Sequence, residues 1–356
     1  MPNLETTLDR GRRSMGVGVR RVAPNGDRVS PSEAERDARA ARSDVWAVVL
    51  AGGKGTRLRA FVRQVLGSER PKQFCRIIGT RSMLRHTWDR AARVAGPDRI
   101  VTVITAGHER FLEEEARSGV PGTVLTQPAN KGTAPGLLLP LLWIARRAPT
   151  AAVAVFPADQ FVWEETLFGF YVRAALAVTD RMPHRLALLG LEPDAPDVNY
   201  GWIAPGESLG REAATDLYTV RQFWEKPDRQ TASSLFARGC LWNTLVLAGR
   251  LEAYLALADA CMPQMVQAMR TAVECLDTGK EVAALAQAYG RIPPICLSRA
   301  LLAQRSDGLM VLAARGVCWS DWGEPDRILR TLRRFGWRVG GLPGDAGARM
   351  PAAAGA

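Results

Sequence analysis

A chain of 356 residues, 47% hydrophobic and 23% charged, has the size and composition of one large α/β domain with flanking segments. No apolar run reaches the roughly 20 residues that a membrane-spanning helix needs, and the longest, Leu137 to Ala145, contains Pro140 and reads as a buried helix. The formal charge of +11 is scattered, mostly on Arg, with no dense basic block interleaved with aromatics. This points away from nucleic acid and towards an anionic small substrate or an Arg-favouring genome.

Residues Met1 to Ser43 mix Arg with Asp, Glu, Pro and Ser and lack the apolar core of a secretory signal. The expectation is a disordered basic extension over residues 1–43, or an over-long start with Met15 as the alternative. A catalytic domain over 44–338 and a flexible Gly/Ala/Pro-rich tail over 339–356 follow. Val45 to Leu50 is a short β-rich run suited to a strand buried on both faces. Ser82 to Ala95 has helical spacing, with Ser82 as N-cap. Strands at Arg99 to Thr105 and Gly122 to Thr126 flank a helix over His108 to Arg117. A helix over Thr133 to Arg147 and a strand over Ala151 to Phe156 come next. This alternation predicts parallel strands with helical crossovers.

The second half is more mixed. Strands are expected at Leu186 to Leu191, Gly201 to Ala204, Tyr218 to Trp224 and Leu241 to Leu247. Ala- and Leu-rich helices fill Leu251 to Tyr289, then come a strand at Leu309 to Ala314 and a helix near Pro325 to Arg334. No internal repeat and no hexapeptide period are present, so no C-terminal β-helix is expected. The fold class is α/β: a Rossmann-like, mixed, mostly parallel sheet flanked by helices. The six cysteines lie far apart without a CxxC pair, and there are only three histidines. That argues against zinc and for reduced core cysteines in a cytoplasmic protein. No Ser-His-Asp or Cys-His set is evident, and His86, His108 and His184 read as structural or surface residues.

The chemistry starts at Leu50-Ala51-Gly52-Gly53-Lys54-Gly55-Thr56-Arg57-Leu58, directly after the first strand. Glycines there let backbone N–H groups close on phosphate oxygens, and Arg57 offers a fork of donors to the same anion. Neither the Walker A nor the Rossmann glycine pattern is matched. Alone, such a loop suits a tight turn as well as a phosphate cradle. Likewise Gln127-Pro128-Ala129-Asn130-Lys131-Gly132-Thr133 reads as a capped helix start or as a base-reading loop, with anions favoured at the helix N-terminus. Asp159, closing a buried strand, reads by itself as a turn residue or an N-cap.

Together with Arg70-Pro71-Lys72-Gln73-Phe74, the Gly-rich loop resembles that of the sugar-1-phosphate nucleotidyltransferases, the nucleoside-diphosphate-sugar pyrophosphorylases, most of all the mannose-1-phosphate guanylyltransferase branch. The resemblance runs in order from Val45 to about Leu329 and implies the nucleotide-diphospho-sugar transferase fold. It implies nucleotide contacts at Leu50, Ala51, Gly52, Gly53, Gly55, Thr56, Gln127, Gly132 and Thr133. Sugar contacts are implied at Gly201 (Asn199-Tyr200-Gly201-Trp202), Glu225 (Phe223-Trp224-Glu225-Lys226-Pro227) and Asn243 (Leu241-Trp242-Asn243-Thr244). Asp159 and Asp321, the latter in Trp319-Ser320-Asp321-Trp322-Gly323, are the implied Mg²⁺ ligands. Arg57, Lys72 and Lys226 are the implied catalytic cations.

Three positions depart from the family pattern: Gln160 stands where histidine is usual, no glycine follows Asn243-Thr244, and Arg299-Ala300 replaces Asp-Tyr. The implied reaction joins a nucleoside triphosphate and a sugar 1-phosphate, with GTP and mannose 1-phosphate favoured. Another hexose or base, or a catalytically silent nucleotide-sugar sensor, is the alternative. A glycosyltransferase of the GT-A type needs an Asp-x-Asp motif that Pro157-Ala158-Asp159-Gln160 does not supply.

Overall fold

The computed structural model describes Arg20–Arg21 and residues 44–67, 69–117 and 119–337. The expected basic extension, apart from Arg20–Arg21, and the expected tail over 339–356 lie outside the described residues.

The apolar runs of the first half fold as strands β2 (Val45–Leu50), β3 (Ile100–Thr105), β4 (Thr123–Gln127) and β5 (Ala152–Pro157). They pair in parallel in the order β4-β3-β2-β5, and β1 (Arg20–Arg21) adds antiparallel to β4. Helices α1 (Arg59–Leu66), α2 (Met83–Ala91), α3 (Glu109–Ala116) and α4 (Thr133–Ala145) fall in the connections. Ser82 caps α2 by accepting the Arg85 N–H at 3.1 Å, as its hydroxyl predicted.

Alternate strand residues enter two different cores. Ala47, Val49, Ala154 and Phe156 pack under α2, α3 and α5 (Glu165–Arg181), whereas Val48, Val153 and Val155 pack under α4. A sheet covered on both faces needs unbroken apolar strands, which is why these runs do not alternate with polar residues.

The second half extends the same sheet by mixed pairing. Its strands are β7 (Leu186–Leu191), β8 (Gly201–Glu212), β9 (Thr215–Glu225), β10 (Leu241–Arg250) and β11 (Leu309–Ala314). Strand β10 runs antiparallel to β5, β7 and β8; β11 is parallel to β7; and β8 and β9 form a hairpin. The parallel core expected for this fold class is therefore the first half, and most antiparallel pairs belong to the second half. The hairpin strands run past the expected Gly201 to Ala204 and Tyr218 to Trp224: the added residues of β8 are mostly exposed, whereas β9 adds the buried Thr215 and Leu217. Helices α7 (Leu251–Cys261), α8 (Pro263–Glu274) and α9 (Glu281–Arg291), which follow α6 (Arg229–Ala237), join α4 on its face. A two-strand ribbon of β6 (Phe161–Val162) and β12 (Trp319–Ser320), with α10 (Pro325–Arg334), closes the other side.

Candidate active site

Strand polarity collects the motifs on one edge of the sheet. The parallel strands β4, β3, β2 and β5 bring there Gln127, Thr105, the Gly-rich loop and Asp159, in that spatial order. Strand β10 is antiparallel to β5, so its first residues, with Asn243, lie at the same edge. Register then continues the row, with Asn243 opposite Gly201 and Gly201 opposite Glu225. All of these but Thr105 line one cleft of about 310 Å³, within the range of small-molecule sites.

The Gly-rich loop is held by its carbonyls. Gln73 Nε2 donates to Ala51 O (2.7 Å) and Gly53 O (2.9 Å), while Thr105 Oγ1 (2.8 Å) and Asn130 Nδ2 (3.0 Å) donate to Gly52 O. With these carbonyls occupied, the N–H groups of Gly52 and Gly53 have no hydrogen-bond partner among the described residues, and both residues line the cleft. That is the polarity an anion requires. Arg57 is exposed on the same wall with no ion-pair partner among the described residues. Three expected contacts do not reach this cleft. Ala51 is 1% exposed and is turned into the sheet, its N–H bonded to Val103 O at 2.8 Å. Gly55 and Thr56 lie beyond the point where the loop turns away, and Gly55 lines a second pocket instead.

At the end of β4, Gln127 is buried with its amide fixed. Its Nε2 donates to Thr105 Oγ1 at 2.9 Å, and Tyr289 OH on α9 donates to its Oε1 at 3.2 Å. Gly132 (φ 92°) is demanded by packing: a Cβ there would lie 2.3 Å from Ile295 O. The N-terminus of α4 is a weaker anion site than the sequence suggests. The Gly132 N–H is taken by Asn130 Oδ1 (2.9 Å) and the Ala134 N–H by Ile295 O (3.2 Å), while Thr133 Oγ1 accepts from Leu297 N (2.8 Å). Leu50, Gly132 and Thr133 still line the cleft.

Lys72 joins the carboxylate of Asp159 to the backbone of Asp321. Its buried Nζ forms an ion pair with Asp159 Oδ2 (2.9 Å) and donates to the backbone carbonyls of Asp321 and Trp322 (3.2 Å to the latter). Lys72 thus braces the cleft floor. Asp321 is oriented by the Gly323 N–H (2.9 Å) and by Arg327 Nη1 (2.6 Å), and Arg327 Nη2 also reaches Asp197 Oδ1 (2.7 Å). Arg327 is only 4% exposed and lies 4.1 Å from the Tyr200 ring centroid, yet nothing in its sequence neighbourhood marks it. Asn130, Gln73 and Arg327 are the supporting residues that sequence reading missed; the first two sit inside quoted motifs, which was the available signal.

Gln160, the departure from histidine, is buried with both amide ends engaged: Nε2 donates to Thr244 O, and Oε1 accepts from Trp319 Nε1 at 3.0 Å. It ties the end of β5 to β10 and β12 and leaves the carboxylate of the preceding residue, Asp159, at the cleft. At the β8 end of the cleft, a Cβ on Gly201 would lie 2.9 Å from the Phe223 ring, 3.2 Å from Glu225 Oε2 and 3.3 Å from Asn243 Cβ. Glycine here lets a carboxylate and an amide converge. Lys226 (φ 53°) stands next to them, its Nζ 3.6 Å from Glu225 Oε1. Asn243 Oδ1 accepts the Leu245 N–H at 3.1 Å, and Leu245 takes φ 59°, the conformation a glycine would adopt freely. Arg299 is exposed and does not line the cleft, whereas the preceding Ser298 does. His86 is half-buried and His108 is buried edge-on to Phe74 (5.6 Å between ring centroids); neither lines the cleft, and His184 is exposed.

Comparison with known proteins agrees with this arrangement. A family model described as nucleotidyl transferase matches residues 46–335. Xanthan biosynthesis protein XanB of Xanthomonas campestris pv. campestris (strain B100) is 30% identical over 306 residues, which is 83% of this chain and 61% of that protein. A mannose-1-phosphate guanylyltransferase of Klebsiella pneumoniae is 28% identical over 280 residues, 78% of this chain and 57% of that one. The chain therefore spans about three fifths of the length of these curated relatives. A crystal structure described as mannose-1-phosphate geranyltransferase from Thermus thermophilus superposes with a TM-score of 0.65 at 24% identity, covering 80% of this chain and 79% of that one. At that identity the likeness is one of fold. With most of its length matched by the family model, the chain belongs to the nucleotidyl transferase family.

Proposed function

We propose that the cleft transfers a nucleotidyl group from a nucleoside triphosphate to a sugar 1-phosphate, releasing pyrophosphate, with GTP and mannose 1-phosphate as the favoured pair. The observation that carries this reading is the order of groups along one sheet edge. Gln127 lies at one end and the Asn243–Gly201–Glu225 row at the other; between them is a phosphate-type loop whose Gly52 and Gly53 N–H groups and Arg57 have no partner among the described residues, with Asp159, Lys72 and Asp321 also lining the cleft. The names of the relatives support mannose and guanosine at the level of distant similarity.

An oxygen of the sugar phosphate forms the new P–O bond at the α-phosphorus while the bond to the β-phosphate oxygen breaks. Such a transfer needs positioning and charge neutralisation and no covalent nucleophile. Gly52 and Gly53 N–H groups and Arg57 hold the departing pyrophosphate. Lys72 supplies fixed positive charge on the cleft floor, and Lys226 receives the incoming sugar phosphate. Glu225 accepts from sugar hydroxyls. The Oδ1 of Asn243 already serves Leu245, so its Nδ2 is the group left to donate. Gln127, fixed by Thr105 and Tyr289, faces the base.

The donor set fits Mg²⁺. Asp159 Oδ1 and Asp321 Oδ2 are hard oxygens without a hydrogen-bond partner among the described residues. When bound, the ion supplies charge neutralisation on the phosphate oxygens. The test is a pyrophosphate-release screen across the four nucleoside triphosphates and several hexose 1-phosphates. GTP with mannose 1-phosphate is expected to give the highest rate. No release with any pair, alongside measurable ligand binding, would overturn the reading in favour of a nucleotide-sugar sensor.

A further inference from the structure

The hydrogen bonds that fix Gln127 run in one direction. Tyr289 OH on α9 donates to Gln127 Oε1 (3.2 Å), Gln127 Nε2 donates to Thr105 Oγ1 (2.9 Å), and Thr105 Oγ1 donates to Gly52 O (2.8 Å). All three side chains are buried: Tyr289 is 1%, Gln127 2% and Thr105 5% exposed. At such burial each proton has to be matched to an acceptor. The nitrogen end of the amide lies against the Gly-rich loop, since a Cβ on Gly52 would fall 2.3 Å from Gln127 Nε2.

A glutamine amide fits its cavity either way round, and the hydroxyls on its two sides decide which way it sits. The two hydroxyls are not equivalent. That of Tyr289 also lies 3.4 Å from Pro135 O. With the amide inverted it would donate to that carbonyl and accept from Nε2, so Tyr289 serves either orientation. Thr105 does not. Its single proton is taken by Gly52 O, so towards Gln127 it only accepts, and only the Nε2 end satisfies it. Inversion would draw that proton away from Gly52 O, leaving the carbonyl to Asn130 Nδ2 and exchanging a 2.8 Å bond for one of 3.4 Å.

We infer that Thr105 is a positioning residue that fixes the polarity of the Gln127 amide, and through it the class of base that the cleft accepts. One Nε2 proton and one Oε1 lone pair have no partner among the described residues. A donor beside an acceptor matches a base edge of complementary order. Guanine and uracil present a carbonyl beside a ring N–H, whereas adenine and cytosine present an amino group beside an accepting ring nitrogen. For a base held in one orientation, inverting the amide exchanges the class that fits. The fixed amide selects the keto class, guanine included. The polarity follows from the hydrogen bonds, and its use on a base rests on the proposed function, in which Gln127 faces the base.

The experiment measures the dissociation constants of GTP and ATP by calorimetry for the full chain and for Thr105→Val, Thr105→Ser, Tyr289→Phe and Gln127→Ala. The readout is the preference for GTP over ATP, a ratio in which losses common to both nucleotides cancel. Thr105→Val leaves Tyr289 to serve either orientation and is expected to reduce the preference about tenfold. Thr105→Ser retains the hydroxyl and the preference. Tyr289→Phe retains the preference too, because Thr105 still admits only Nε2, and weakens both nucleotides alike. An unchanged preference in Thr105→Val, with a collapsed one in Gln127→Ala, would overturn the inference and leave Gln127 at the base. An unchanged preference in Gln127→Ala, or none in the wild type, would overturn both. Binding needs no turnover, so a chain that releases no pyrophosphate is tested in the same way.

Discussion

Arg327 is the residue on which the carboxylate end of the site depends most. It is buried and joins Asp321 at 2.6 Å to Asp197 at 2.7 Å. Removing one member of such a cluster leaves partly buried carboxylates uncompensated. Arg327→Met is expected to cost roughly 3 kcal/mol in urea unfolding. It should also lower turnover by more than the fraction unfolded accounts for, because Asp321 loses its orientation. Unchanged stability would show that the pair is solvated and dispensable. Asp159 and Asp321 were legible in the sequence as carboxylates at strand ends within ordered motifs. Arg327 was not, because its partners lie on other elements, and a lone Arg in an Arg-rich helix gives no pattern. Leu245 was half legible: the missing glycine could be seen, but not that leucine takes the left-handed backbone in its place.

At the scale of elements, buried strands read well and exposed ones badly. Leu186–Leu191 and Leu309–Ala314 were bounded to the residue because every position is buried. The outer end of β8 escaped, since its exposed residues Glu207 to Arg211 form no apolar run. Helix α5 was missed although Phe168, Tyr171, Val172, Ala175, Leu176 and Thr179 repeat at helical spacing. The hairpin turn joins Glu212 and Thr215 through Ala213 (φ 47°) and Ala214 (φ 63°). Such a two-residue turn favours Asn-Gly, and alanine is strained by the left-handed backbone at both positions. Ala213→Asn combined with Ala214→Gly is expected to raise stability by about 1–2 kcal/mol in chemical denaturation. A neutral or negative change would mean that the turn is not held in this form in solution.

For the whole molecule, the sheet is the organising device. It carries a core on each face and delivers the site segments to one edge by strand polarity, which no single motif foretells. Two histidines in this interior give the fold a pH dependence. Burial holds both His86 and His108 below the ordinary histidine pKa of about 6.5. Above that pH both states are neutral and nothing changes. As pH falls through it, the unfolded chain takes up protons that the fold refuses, so unfolding becomes easier. The melting temperature should therefore drop more steeply between about pH 6.5 and 5 in the wild type than in His86→Gln/His108→Gln. Parallel profiles would contradict the assignment.

The central claim is that one cleft joins the α-phosphate of a nucleoside triphosphate to a sugar phosphate. The fate of labelled phosphorus tests it most directly. With mannose 1-phosphate present, label in the α-position of GTP should appear in a nucleotide sugar, and label in the γ-position should appear in pyrophosphate. Release of the γ-label as inorganic phosphate, or of the α-label as free GMP, would contradict the claim.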